Sequence, residues 1–324
     1  MAAGRPASRV TFSFARSLVA MAWRGAEAIA LLVVLASLVF LALRTLPGDP
    51  AALILGDQAS AAELSALRAR LGFDRPLYVQ YARFLRGLLT LDFGDSLRRP
   101  GVRAATRVFE ALGPTGELAG LAVAMGSVVG VTSAVLAVGP WLGAGRRHVE
   151  RAFVVVASTP LLAFAPLLTY VFAVRWRVLP LPGDPDAGLL GLAFASGLLA
   201  VPLSAHVARI GRAALQDVSG APFLTVVRAK GGSFARAWFL HGLPATAGPI
   251  VTTIGTQLGA LLGGAVVLER LFERPGLGTL ILESYASRDL PVLEASVVAA
   301  GSLFVATQAL AGAVHAAIDP RVRS

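Results

Sequence analysis

The sequence predicts an all-α membrane protein with six transmembrane helices, and three observations predict it. The 324 residues are 56% hydrophobic and 15% charged, with a mean hydropathy of +0.70; a soluble domain carries about 25% charge. Six runs reach the roughly 20 apolar residues that span a hydrocarbon core: 27–46, 115–139, 152–174, 187–208, 249–269 and 291–318. Their interiors are nearly free of charge, as expected where each Arg, Lys or Asp costs roughly 2.5–3.5 kcal/mol at mid-membrane. With no water to satisfy the backbone, such runs must be helical.

The elements follow in order. Residues 1–26 carry Arg5, Arg9, Arg16 and Arg24 ahead of the first run. That run, 27–46, is too long for a signal-peptide core and no small-residue cleavage site follows it, so it is expected to stay as an uncleaved first span. A long extracytoplasmic loop, 47–114, comes next. In it Ser60-Ala61-Ala62-Glu63 reads as a capping box opening a short helix that stops at Gly72. "DRPLYVQYARFLRGLL" then sets Leu77, Tyr81, Phe84, Leu85, Leu88 and Leu89 on one helical face. Such a helix could lie on the membrane surface or pack against the spans or a partner. A five-helix core, 115–318, includes a loop at 209–248, and a tail of 319–324 follows.

Orientation comes from the basic residues of the short loops. With the N-terminus inside, the inner segments hold fourteen: Arg5, Arg9, Arg16, Arg24, Arg146, Arg147, Arg151, Arg209, Arg212, Arg228, Lys230, Arg236, Arg321 and Arg323. The outer short loops hold five: Arg175, Arg177, Arg270, Arg274 and Arg288. Both termini and the 209–248 loop are therefore expected in the cytoplasm of an inner (plasma) membrane protein.

Several function classes lack their residues. The net charge of +10 comes from arginines scattered between apolar runs, which argues against nucleic acid. Cysteine is absent, so there is no disulfide framework or thiolate chemistry. The single lysine, Lys230, is followed by Gly231, so the hydroxyl a P-loop needs is missing. His148, His206, His241 and His315 have no metal-ligand spacing. No carboxylate pair lies inside a span to seat the proton relay of an ion-coupled carrier, and no polar constellation suits a membrane-embedded enzyme.

Two stretches carry most of the remaining information. In the fifth span Gly255, Gly259 and Gly263 recur every four residues, which lets backbones approach closely, either within the chain or against a second subunit. Gln257 in the same span either lines a path or bonds a neighbouring helix. Glu269 and "PGLG" (Pro275, Gly276, Leu277, Gly278) close that span, as an outer gate or as a plain turn. The second stretch is the loop after Asp217. Ser219 can cap a helix and Pro222 suits its first turn; Gly231 sits where a left-handed C-cap belongs, and Ser233 restarts a helix. Phe223 and Leu224 are apolar with no span to enter. They either dock into a groove on another protein or lie on lipid headgroups with the basic residues facing phosphate.

At this point the chain resembles the permease subunits of bacterial ABC importers, most closely the branch serving dipeptides, oligopeptides and nickel. "RAKG" (228–231) followed by His241 is similar to that family's coupling-loop motif. "LGGAVVLERLFERPGLGTLI" (262–281), "RDLPVLEAS" (288–296), "LPGDP" (46–50), "LGFDRPLYVQY" (71–81), "LDFGDS" (91–96) and "DPRVR" (319–323) match in order from about residue 38 onward. The resemblance implies a type I, MetI-like fold and a non-catalytic transport subunit with no cofactor of its own, ATP and Mg being held by partners. It implies a second homologous permease, two ATP-binding-cassette ATPase subunits and an extracytoplasmic substrate-binding protein. It also implies an ATPase-coupling loop containing Asp217, Ala221, Phe223, Leu224, Arg228, Lys230 and Gly231. In it Phe223 and Leu224 would fill the ATPase socket, and Arg228 and Lys230 would form its rim.

Overall fold

A computed structural model of the chain describes residues 8–45, 50–55, 59–139, 148, 151, 155–156 and 158–318. Most of "LPGDP" and all of "DPRVR" lie outside these residues. Among the described residues every regular element is helical.

Five helices are long and apolar enough to cross a membrane. They are α1 (Ser8–Thr45), through its Gly25–Thr45 part, α5 (Ala104–Val138), α7 (Gly188–Asp217), α10 (Ala247–Leu271) and α12 (Leu290–Ile318), through Leu290–Val314. The expected count of six is not reached among the described residues. The run 152–174 contributes α6 (Leu161–Arg175), nine α-helical residues followed by six π-wound ones. At about 1.5 Å per residue this is short of a 30 Å core. Pro160 is its N-cap, and residues 152–154 and 157 lie outside the description.

The most extensive helix contact is between α5 and α7. Gly126 and Gly130 lie under Leu203 and Val207: a Cβ on Gly130 would stand 2.7 Å from Val207 Cβ and 2.8 Å from the Ser204 carbonyl oxygen. Bare backbone here is what allows the contact, since packing drives association in lipid. Leu118, Leu198, Leu199, Leu203, Leu261 and Leu268 build the main core around this pair, drawing in α10. α5 also starts eleven residues before the expected span and carries Pro114 inside it. Its 35 residues rise about 52 Å, well beyond the hydrocarbon. The extension is held by Val108 and Ala111 against Leu277, Leu280 and Val292.

Short helices lie in the stretch between α1 and α5. α3 (Ala61–Leu71) has the full Ser60–Glu63 capping box and stops at Gly72, left-handed with φ 75°. α4 (Leu77–Thr90) packs on the spans: the rings of Phe84 and Tyr81 meet Phe40 of α1 at tilted angles, and the Tyr81 hydroxyl is 2.7 Å from Ser37 Oγ. Leu85 and Leu88 join this cluster. Leu77 and Leu89, expected on the same face, are exposed, because the α1–α12 surface is narrower than the apolar stripe.

Candidate functional site

The bundle has two chemically different ends, and α10 runs from one to the other. At the first, α7 ends at Asp217 and a tight turn leads into α8 (Pro222–Ala229). Pro222 opens α8, where its missing N–H costs nothing. The N-cap is Ala221 and makes no side-chain bond, so the expected Ser219 cap is not formed. Leu224 turns inward, 4% exposed, against Ala134, Leu215 and Trp238. This corrects the expected socket pair: Leu224 closes the chain's own core, whereas Phe223 (39%) and Val226 (50%) stand outward. The cause is helical spacing, because 223 and 224 lie 100° apart around one axis. Arg228 and Lys230 are exposed.

Gly231 ends α8 at φ 80°, a conformation that costs a side chain about 1–2 kcal/mol. Its N–H donates to the Arg228 carbonyl and that of Gly232 to the Val227 carbonyl, each at 3.0 Å. Ser233 then caps α9 (Phe234–Ala237), its hydroxyl accepting from the Arg236 N–H at 3.2 Å. A π-wound turn, Trp238–Gly242, follows. Gly242 lies under the Trp238 ring, where a Cβ would come within 2.7 Å. The chain then enters α10.

The glycines of α10 divide between two roles. Cβ atoms on Gly255 and Gly259 would meet Ala311 and Phe304 of α12 at 2.5 and 2.2 Å, whereas Gly263 has open space beside it. Gln257 contributes to the lining of a cavity of about 340 Å³ between α6, α7 and α10, otherwise bounded mainly by Leu161, Leu199, Pro202, Leu203 and Leu261.

At the other end three carboxylates are buried. Glu269, 1% exposed, accepts from Thr115 Oγ1 at 2.5 Å and from the N–H groups of Gly278 and Thr279 at 2.8 and 3.1 Å. Thr115 Oγ1 in turn accepts from the Leu277 N–H at 2.8 Å. The carboxylate therefore caps α11 (Leu277–Ala286) from another helix, with anion and helix dipole complementary. Glycine is required beside it, since a Cβ on Gly276 would fall 2.2 Å from Glu269 Cδ, and one on Gly278 would fall 2.5 Å from Val266 Cα. Asp289 takes the Ser96 hydroxyl and, at 3.0 Å, the Leu97 N–H. Glu294 is paired with Arg44 at the end of α1, and the Arg44 guanidinium lies 3.9 Å over the Phe40 ring.

Of these groups the sequence singled out only Glu269 with its glycines. Asp289, Glu294, Arg44 and Thr115 were missed, because nothing local marks a partner 154 to 250 residues away. Glu269 stands near the end of α10 with both carboxylate oxygens engaged, and Glu294 stands near the start of α12, paired with Arg44 through one oxygen, unlike a mid-membrane proton relay. No group of three or more His, Cys, Asp or Glu that could hold a metal occurs among the described residues.

Residues 126–324 match the family described as binding-protein-dependent transport system inner membrane component, and residues 18–97 match its N-terminal counterpart. A probable peptide ABC transporter permease protein, y4tP, of Sinorhizobium fredii is 32% identical over 305 residues, covering 91% of this chain and 96% of that protein. The glutathione transport system permease protein GsiC of Escherichia coli is 35% identical over 299 residues, covering 90% and 94%. An inward-facing crystal form of the MetNI methionine ABC transporter shares the fold, with a TM-score of 0.54 and 18% identity over 65% of this chain and 96% of that one. The chain thus belongs to the binding-protein-dependent transport system inner membrane component family and is the membrane-embedded permease subunit of an ABC importer.

Proposed function

We propose that this permease carries a short peptide or a related small solute, and that the 209–248 loop is where a separate ATPase subunit acts on it. The names of the peptide and glutathione permeases favour that solute class. The observation that carries the coupling reading is α8 itself: a one-sided helix closed by left-handed Gly231, whose Leu224 is anchored inside while Phe223 and Val226 face out. This is the arrangement helix-in-groove docking needs. Arg228 and Lys230 would rim the groove, and Gly231 would set the turn that returns the chain to α10.

In this account two ATP-binding-cassette subunits, holding ATP and Mg, serve this permease and a second homologous one. A binding protein delivers solute on the extracytoplasmic side, and both termini and the loop lie in the cytoplasm. Nucleotide-driven closure then moves the loops as rigid bodies, which requires differential affinity between two states. Gln257 and Gly263 face the path. Glu269, Pro275, Gly276 and Gly278 shape its outer gate by fixing where α11 starts.

Cysteine pairing tests the contact. In the assembled importer, cysteines at Phe223 and Val226 should crosslink to cysteines placed in the ATPase, and one at Leu224 should not. Absence of crosslinks from both outward positions, in a complex that hydrolyses ATP, would move the helix to the lipid surface. Gly231→Pro should abolish ATP-driven uptake while the chain still inserts.

A further inference from the structure

A further cleft lies away from the coupling end. It measures about 510 Å³ and opens between the end of α1, the α3–α4 corner and the start of α12. A volume in this range suits a small-molecule site. Its charged lining is Arg44, Arg83, Arg86, Asp92 and Glu294.

The charges are not equivalent. Arg44 and Glu294 are paired at its wall, with side chains 19% and 10% exposed, so both remain reachable from the cleft. Asp92 is engaged locally, accepting from the Gly94 N–H at 3.1 Å. Arg83 and Arg86 are exposed and have no carboxylate partner among the described residues. They stand three apart on α4, which places them side by side on one helical face. Arg83 is also seated: its Nη1 lies over Gly72, where a Cβ would come within 2.6 Å. A bare, left-handed corner residue thus lets a guanidinium rest on the cleft wall. The lining carries three guanidiniums against two carboxylates, one of which already shares Arg44.

The geometry points to a binding cleft for a small solute with a free carboxylate, held by Arg83 and Arg86, with Glu294 placed to take its ammonium group. Arginine forks bind carboxylates through paired, charge-assisted hydrogen bonds. Glu294 is paired with Arg44 through one oxygen, which leaves its other oxygen as the complementary acceptor. A short peptide presents both charges at a spacing such a cleft can span. This rests on the reading that the chain serves a peptide-class importer and adds a site borne by the permease itself.

The test uses the complete importer in phosphatidylcholine nanodiscs without its binding protein. Equilibrium dialysis follows radiolabelled Ala–Ala and glutathione, with Ala–Ala amide for comparison. Saturable binding of Ala–Ala or glutathione is expected. Arg83→Ala with Arg86→Ala, in this chain only, should weaken it at least about tenfold. Lysine at both positions should restore part of it, showing that the fold survives. If Ala–Ala is the peptide bound, its amide should bind about tenfold more weakly. No saturable binding of either peptide, or binding indifferent to the arginine pair, overturns the inference. So does a phosphatidylglycerol arm in which the variant sheds bound lipid while no peptide competes. Binding-protein-stimulated ATP hydrolysis is then read after the binding protein is added back to the same nanodiscs: its presence with an empty cleft sinks this inference alone, and its absence sinks the proposed function.

Discussion

Thr115 shows how much one hydroxyl can hold. It donates to Glu269 and accepts from the Leu277 N–H, so removing it strands two buried groups. Thr115→Val keeps the volume and should cost about 1–3 kcal/mol, read as a lower melting midpoint of the detergent-purified permease; Thr115→Ser should restore most of it. Glu63 offers a second local test. The Ser60 backbone N–H and then the Ser60 hydroxyl hold its carboxyl below the usual glutamate value. A depressed folded value means the cap is at full strength above the ordinary glutamate range and fades as pH falls through the lowered one. Amide exchange in α3 should therefore accelerate at that acid limit, and Glu63→Gln, which cannot titrate, should remove the acid dependence. Legibility at this scale tracks range. Ser60, Glu63, Gly72 and Gly231 declare themselves through neighbours three or four residues away, whereas Asp289 depends on Ser96, which no local pattern reveals.

Among elements, glycine spacing proves informative only when the facing helix is known. The "GSVVG" at 126–130 lies in the contact between α5 and α7 but reads no differently from the α10 run. Gly130→Ala would drive a Cβ into Val207 and the Ser204 carbonyl, and overpacking of this kind costs roughly 1–3 kcal/mol. Gly263→Ala, with open space around it, should leave the melting midpoint unchanged. Equal effects at the two sites would refute this assignment of faces. The sequence also placed α7, α10 and α12 to within a few residues at most ends, because length and apolarity alone define a span. It missed the overhang of α5, since 104–114 is amphipathic rather than apolar.

At the scale of the whole molecule, much apolar surface awaits a partner or lipid. Only 11% of the most apolar window in α1 and in α12 is buried, against 56% in α7. A ligand or subunit that binds the folded state alone raises its stability by mass action. The permease should therefore melt at a higher temperature when purified with its partner subunits than alone, in the same detergent. An identical midpoint would mean that the exposed faces meet lipid only.

The three buried carboxylates also set a timetable. Glu269 waits on Thr115, Asp289 on Ser96 and Glu294 on Arg44, at separations of 154, 193 and 250 residues. At roughly 5–20 residues per second, Arg44 emerges from the ribosome about 12–50 s before its counterpart exists. One end of the newborn permease is consequently unfinished until translation is nearly done, and a chain that stalls before residue 294 displays unmatched polar groups to the cell's membrane proteases.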